Sequence, residues 1–267
     1  LLDLRNTYSS FIYFSFILIF CGWCKSDLTA IQKIRIESIT HVFESGAIQA
    51  PYGEINNLGD GRGYTAGRDG FCTATGDLLA VVKNYNLLNP INSIRPYTRR
   101  LEELANIQSP EVSSLQGFNL AWKYSVVDPL FIQSQDEISD EYYFCPAISV
   151  ARELKLKLPI SIGQIYDSLI QHGNGNDDDG LPALLAETAR RYQTLATIND
   201  SEVNWLKTFM QVRLEDLKFA KDPKTRKVWA ESAERVEFYM SLLNKKSEWA
   251  FQHPVHVEVF GYETYTP

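Results

Sequence analysis

Between Glu54 and Leu78 the chain reads EINNLGDGRGYTAGRDGFCTATGDL, which sets Asp60 and Asp77 among six glycines. Three chemistries suit such a stretch: a phosphate cradle, a cation cage, or a mount for a catalytic carboxylate. A phosphate loop needs Gly-Lys-Ser/Thr opening a helix, so that the lysine meets the phosphates. Here the loop offers the Asp60 carboxylate, which repels them. A calcium loop needs oxygen ligands at alternate positions, and Arg62 occupies the second of these. The acidic run HGNGNDDDG fails the same test, because counting twelve from Asn174 places Leu185 where a bidentate glutamate belongs. Asp177 to Asp179 therefore read as a solvated loop. The carboxylate reading survives. Gly59, Gly61 and Gly63 permit tight turns and leave a reacting group uncrowded. Asp60 either projects from that turn or closes it, as aspartates often do.

Acid–base chemistry needs a partner, and Glu44 stands 16 residues upstream of Asp60. It falls in the last turn of the first expected helix, facing the negative end of the helix dipole, which disfavours a charged carboxyl there. One carboxyl kept neutral on a helix end and one kept ionised on a polar loop could protonate a glycosidic oxygen and activate a water. The plainer reading of Glu44 is an exposed helix-end side chain.

Helices are what must position this pair. In DLTAIQKIRIESITHVFESG the apolar residues Ile31, Ile34, Ile39, Val42 and Phe43 recur at helical spacing. Asp27 is the candidate N-cap and Gly46 the stop. Pro51 to Gly70 reads as short strands and tight turns. Helical patterns return in TGDLLAVVKNYNLL, TRRLEELANI, GFNLAWKYSVV, PAISVARELKLKL and SIGQIYDSLIQHG. They continue through GLPALLAETARRYQTLA, SEVNWLKTFMQVRLEDLKFA and TRKVWAESAERVEFYMSLLNKK. The tail PVHVEVFGYETY reads as a short strand or an extended arm. The expected fold is mainly α (α+β), with a small β patch near residues 50–70 between helices and a cleft beside it.

Composition excludes some partners. The chain has 267 residues, 45% apolar and 22% charged, with a formal net charge of −7. That balance argues against nucleic acid and anionic membrane surfaces, both of which reward excess lysine and arginine. Between Arg5 and Lys25 no charge occurs, and the apolar run Phe11–Trp23 suits a signal peptide over residues 1–24, with a membrane anchor as the alternative. Residues 25–267 then form the catalytic domain. Cys21 and Cys24 fall in the leader; Cys72 and Cys145 form one disulfide or remain two buried thiols. No cysteine spacing resembles a zinc site, and Trp122, Trp205, Trp229 and Trp249 read as core residues.

The segment LGDGRGYTAG...GFCTATGDLL resembles the signature of the chitosanases of glycoside hydrolase family 46. FCPAI after VVDPLFIQSQ, IYDSLIQHGNGND, FMQVRLEDLK and ESAERVEF follow in that family's order and spacing, so the resemblance runs from Ile34 to Glu237. It implies a two-lobed, lysozyme-like fold with a substrate groove between the lobes. It also implies hydrolysis of the β-1,4 bonds of chitosan with inversion. On that resemblance Glu44 matches the general acid, Asp60 the general base, and Thr65 the hydroxyl that helps hold the attacking water. An inverting pair stands roughly 6.5–9.5 Å apart. Asp77 matches a carboxylate for a glucosamine amine, although an aspartate also suits the start of a helix. Arg62, Tyr52 and His172 match residues at or beside the substrate, with His172 lining the cleft. Asp167, Arg213 and Arg235 match a buried ion network linked to the acid. No cofactor or metal is implied, and the expected protein is a secreted monomer acting on chitosan. Two positions depart from the pattern, Ser45 after the glutamate and Asp69 before the glycine of GFC. The competing readings are a non-catalytic binder of glucosamine polymers and a muramidase-type hydrolase.

Overall fold

The computed structural model describes residues 26–195, 201–221, 226–259 and 261–267. The expected leader or anchor at 1–24 lies outside them. Helix α1 (Ala30–Ser45) begins at Thr29 rather than at Asp27. Thr29 Oγ1 accepts the Gln32 amide (3.3 Å) and Gln32 Oε1 accepts the Thr29 amide (2.8 Å). This reciprocal capping box satisfies two amide donors that a lone Asp27 cap would not. Gly46 ends the helix as expected, at φ 72°, its amide donating to Val42 O. Ile36, Ile39 and Val42 form the buried stripe of α1, each fully buried and each worth about 1.5–3 kcal/mol.

The β patch is a three-stranded antiparallel sheet of β1 (Ile55–Asn57), β2 (Tyr64–Ala66) and β3 (Phe71–Cys72), in that order. Helices α2 (Asp77–Leu88), α3 (Thr98–Asn106), α4 (Phe118–Ser125) and α5 (Pro129–Ser139) follow. Of these, α5 has no counterpart among the expected helices. Its start signal is Asp128, whose Oδ1 accepts the Leu130 amide at 2.9 Å, with Pro129 in the first turn. Its sequence, rich in Ser, Gln, Asp and Glu, hides the apolar stripe of Phe131 and Ile138.

A π turn, Asp140–Phe144, runs directly from α5 into α6 (Cys145–Glu153). Then come α7 (Pro159–His172), α8 (Leu181–Leu195) and α9 (Glu202–Lys218). Where one helix was expected there are two, α10 (Arg226–Glu231) and α11 (Glu234–Leu243). The tail is a hairpin of β4 (His256–Val259) and β5 (Tyr262–Tyr265), rather than a lone strand or arm.

Two separate cores result, as a two-lobed, mainly α fold requires. The smaller joins the sheet to α2–α5 around Phe71, Phe118, Trp122 and Phe131. The larger joins α1 to α6, α7, α9, α11 and the C-terminal hairpin. The π turn carries the chain between them: Tyr142 packs on the smaller core, Phe144 lies in the larger, and Tyr143 touches both. The tail also clasps α1, since Arg35 donates to the carbonyls of Phe251 (2.7 Å) and Pro267 (2.6 Å).

Candidate active site

The turn joining β1 to β2 carries Asp60. Gly59, Gly61 and Gly63 all take positive φ, at 69°, 88° and 78°. At Gly63 space is restricted too, since a Cβ there would stand 2.1 Å from Thr73 Oγ1. Asp60 closes the turn, its Oδ1 accepting the Arg62 amide at 3.1 Å. It is also held by the Arg62 side chain, whose Nε and Nη2 donate to Oδ2 at 2.9 and 2.7 Å. These bonds hold the Asp60 carboxyl below its usual range. Both readings of Asp60 are thus structurally compatible: a turn-closing residue one third exposed to solvent.

Glu44 lies in the last turn of α1, with its side chain 41% exposed. Its Oε1 is 2.7 Å from Nη1 of Arg235, a side chain of α11 that is 2% exposed. Arg235 also grips fully buried Asp167 on α7, Nε to Oδ2 at 3.0 Å and Nη2 to Oδ1 at 2.8 Å, and its Nη1 reaches Gln171 Oε1. Arg213 on α9 approaches Asp167 Oδ2 at 2.7 Å, and Thr40 on α1 donates to Oδ1 at 3.1 Å. Burial by itself would raise the Asp167 carboxyl, but the two guanidinium charges outweigh it and hold the group far below its usual range. The network expected on Asp167, Arg213 and Arg235 is therefore present and ends on Glu44. Ser45 stays outside it, its hydroxyl donating to His41 O at 2.9 Å.

On β2, Thr65 pairs across to Asn56 and to Cys72. Cys72 is a buried free thiol and Cys145 is disulfide-bonded, so neither the expected bridge between them nor a pair of free thiols holds. Asp77 opens α2 and commits Oδ1 to three donors: the Cys72 amide (2.7 Å), Thr75 Oγ1 (2.6 Å) and the Leu78 amide (2.9 Å). Burial nonetheless raises its carboxyl, with those bonds opposing.

Two expected substrate contacts are tied inward. Tyr52 donates its hydroxyl to Asp136 Oδ1 at 2.7 Å, and its carbonyl accepts from Trp122 and Gln135. His172 does not line a surface: its side chain is fully buried. Its Nδ1 lies 2.9 Å from Asp179 O and its Nε2 accepts from Arg213 Nε at 3.2 Å. Burial and the Arg213 charge lower its pKa to about 3, so the ring is neutral. Asp179 departs from the solvated reading as well. It is 6% exposed and its carboxylate accepts the Lys221 amide, while Asp177 and Asp178 stay exposed.

A second charge cluster escapes sequence reading. Arg68, in the turn after β2, is 4% exposed and reaches Glu37 on α1 (3.1 Å), Asp136 on α5 (2.5 Å) and Asp69 (3.4 Å). It thereby ties the sheet of the smaller core to the helix that bears Glu44. The unusual Asp69 is a counter-ion in this cluster, its carboxyl pushed up to about 6 by burial, with Arg68 opposing. The signal available was a charged Arg-Asp pair held between Gly67 and Gly70, where exposed turns seldom need both. Among the described residues no group of three or more His, Cys, Asp or Glu is arranged to hold a metal ion. No helix among them is long and apolar enough to cross a membrane.

Residues 38–255, which include every side chain of the site described above except Glu37, match glycosyl hydrolase family 46. The chain belongs to that family. It is therefore a glycoside hydrolase by descent. A chitosanase of Bacillus subtilis strain 168 is 38% identical over 232 residues, covering 87% of this chain and 83% of the relative. A chitosanase of Streptomyces sp. strain N174 is 34% identical over 62% of this chain and 58% of the relative. The solved family 46 chitosanase of Gynuella sunshinyii, in complex with chitotetraose, superposes with a TM-score of 0.79 at 37% identity, covering 90% of this chain and 99% of that one. A mutant chitosanase of Bacillus subtilis MY002 complexed with 6 GlcN gives the same TM-score at 36% identity, over 90% and 100%.

Proposed function

We propose that this family 46 hydrolase is an endo-acting chitosanase that cleaves β-1,4 bonds with inversion, using Glu44 as general acid and Asp60 as general base. The observation that carries the reading is the pairing of each carboxyl with its own arginine, Glu44 with Arg235 and Asp60 with Arg62. Arg235 engages Glu44 Oε1, so Oε2 is the oxygen that presents the proton to the glycosidic oxygen. Asp60 stays ionised through its bonds to Arg62. Its Oδ1 accepts only one of these bonds, so it keeps a lone pair for water. As the C1–O bond breaks, Glu44 delivers its proton to the departing oxygen. Water attacks C1 from the opposite face and gives its proton to Asp60, leaving an inverted reducing end.

Asp77 supports an amine-bearing substrate. With Oδ1 fully engaged by three donors, Oδ2 is the atom left to meet an ammonium group, which chitin lacks. Tyr52, Arg62 and His172 then act as supports, holding Asp136, Asp60 and Arg213 respectively. The substrate is proposed to pass between the two cores, and the apolar run Phe11–Trp23 supports export of the enzyme. The test is release of reducing ends from chitosan by the wild type and by Glu44→Gln. Wild-type turnover should be lost in the variant, and equal activity in the two would defeat the assignment.

A further inference from the structure

Cys72 has no part in the acid–base scheme, yet its sulfur lies against the Thr65 hydroxyl. The β2–β3 register sets the two residues directly opposite each other, and Thr65 Oγ1 lies 3.4 Å from Cys72 Sγ. Cys72 is 2% exposed. Its amide is anchored to Asp77 Oδ1 at 2.7 Å, which holds the backbone that carries the sulfur. Burial raises the thiol above its ordinary range, and the sulfur keeps its hydrogen.

That hydrogen has two acceptors within reach, and the shorter contact decides between them. Cys72 Sγ lies 3.1 Å from Gly70 O, and a carbonyl can only accept, so the S–H points there. Toward Thr65 the sulfur then offers lone pairs alone. With the S–H so placed, the 3.4 Å contact is a bond from the Thr65 hydroxyl to sulfur, which turns the lone pairs of Oγ1 away from it. We infer that Cys72 is a positioning residue that fixes the Thr65 hydroxyl as an acceptor for the attacking water. The water then donates one hydrogen to Thr65 and the other to Asp60, and its own lone pair is left facing C1. This inference rests on the reading of Thr65 and Asp60 given above.

The experiment compares Cys72→Ala, Cys72→Ser and Thr65→Val, singly and with Cys72→Ala and Thr65→Val combined, on a glucosamine hexamer. Cys72→Ala frees the Thr65 rotor, so kcat should fall roughly three- to tenfold with KM unchanged. Cys72→Ser keeps one donor for Gly70 and an acceptor for Thr65, so it should recover most of that loss. In the Thr65→Val background Cys72→Ala should cost nothing further, which a merely structural role would not produce. Should Cys72→Ala melt below the assay temperature, Cys72→Val fills the volume without an acceptor and carries the same expectation. A wild-type kcat in Cys72→Ala beside an impaired Thr65→Val, or losses that multiply in the double variant, would overturn this inference alone. Wild-type kcat in Thr65→Val would instead defeat the role of Thr65, and with it this one.

Discussion

Nη1 of Arg235, a side chain 2% exposed, lies 2.7 Å from Oε1 of Glu44, a side chain 41% exposed. One buried cation thus serves both an open carboxyl and the closed carboxyl of Asp167. Removing it strands Asp167 in the core with Arg213 as its remaining cation. Breaking a buried pair in this way costs roughly 3–5 kcal/mol. Arg235→Met should therefore lower the stability to urea by that order and abolish activity with it. Glu44→Gln keeps an acceptor for Arg235 and should leave the unfolding midpoint nearly unchanged while activity is lost. A large drop in midpoint for Glu44→Gln would mean that the pair is structural first.

The bond between Arg62 and Asp60 gives a prediction in pH. Hydrogen bonds from Arg62 lower the Asp60 carboxyl, so its removal lets that group rise toward its usual value. A general base works only when ionised, and the acid limb of kcat/KM reports its titration in the free enzyme. In Arg62→Gln the acid limb should move to higher pH, while the alkaline limb stays in place. An unmoved acid limb would separate Asp60 from the base.

Much of this was legible along the chain, and the exceptions share a cause. Ile39 and Val42 of α1, the Gly46 stop and the turn glycines are local signals, fixed by residues within a few positions of one another, whereas Ile31 and Ile34 of the expected stripe stand exposed and Ile36 takes the buried place. Glu44 and Asp60 emerged only because widely spaced segments matched one family together. What stayed hidden depends on long-range burial. Arg68 finds Glu37 and Asp136 far away in sequence, and no local pattern marks an arginine for the interior. His172 reads as a cleft residue until α9 brings Arg213 against its Nε2. Helix α5 carries polar residues such as Ser134 and Gln135 on its buried side, so its periodicity is blurred.

His172 also sets a pH dependence of stability. Its folded pKa, about 3, lies below the ordinary value of 6.5. Between those limits the unfolded chain binds the extra proton, so stability rises with pH and is lost as pH falls below about 6.5. The slope from one such group is at most about 1.4 kcal/mol per pH unit. Asp216, whose Oδ2 is 3.6 Å from His172 Nδ1, is pushed up to about 7 by burial and by neighbouring Asp179. Its raised folded value gives the opposite sign over about pH 4–7, so the total curve mixes the two. The difference between the wild type and His172→Gln isolates the imidazole. The variant should lose stability more gently on acidification from pH 6.5, and parallel curves would show that the ring protonates in the fold as readily as outside it.

The three turn glycines around Asp60 are not equivalent. Gly59 and Gly61 have open space where a Cβ would stand, so alanine there meets only the positive φ, at about 1–2 kcal/mol. At Gly63 the added carbon would collide with Thr73 Oγ1 at 2.1 Å. That hydroxyl accepts the Tyr64 amide at 3.1 Å and donates to Arg62 O at 3.3 Å. Displacing it loosens both ends of the segment between Arg62 and Thr65, at about 1 kcal/mol for each bond lost. Gly63→Ala should therefore be less stable than Gly61→Ala by about 2 kcal/mol in urea unfolding. It should also lose more activity, because the strand that presents Thr65 begins at the residue after it. Equal stability of the two variants would show that Thr73 can move aside without cost, and that the glycine at 63 answers to backbone conformation alone.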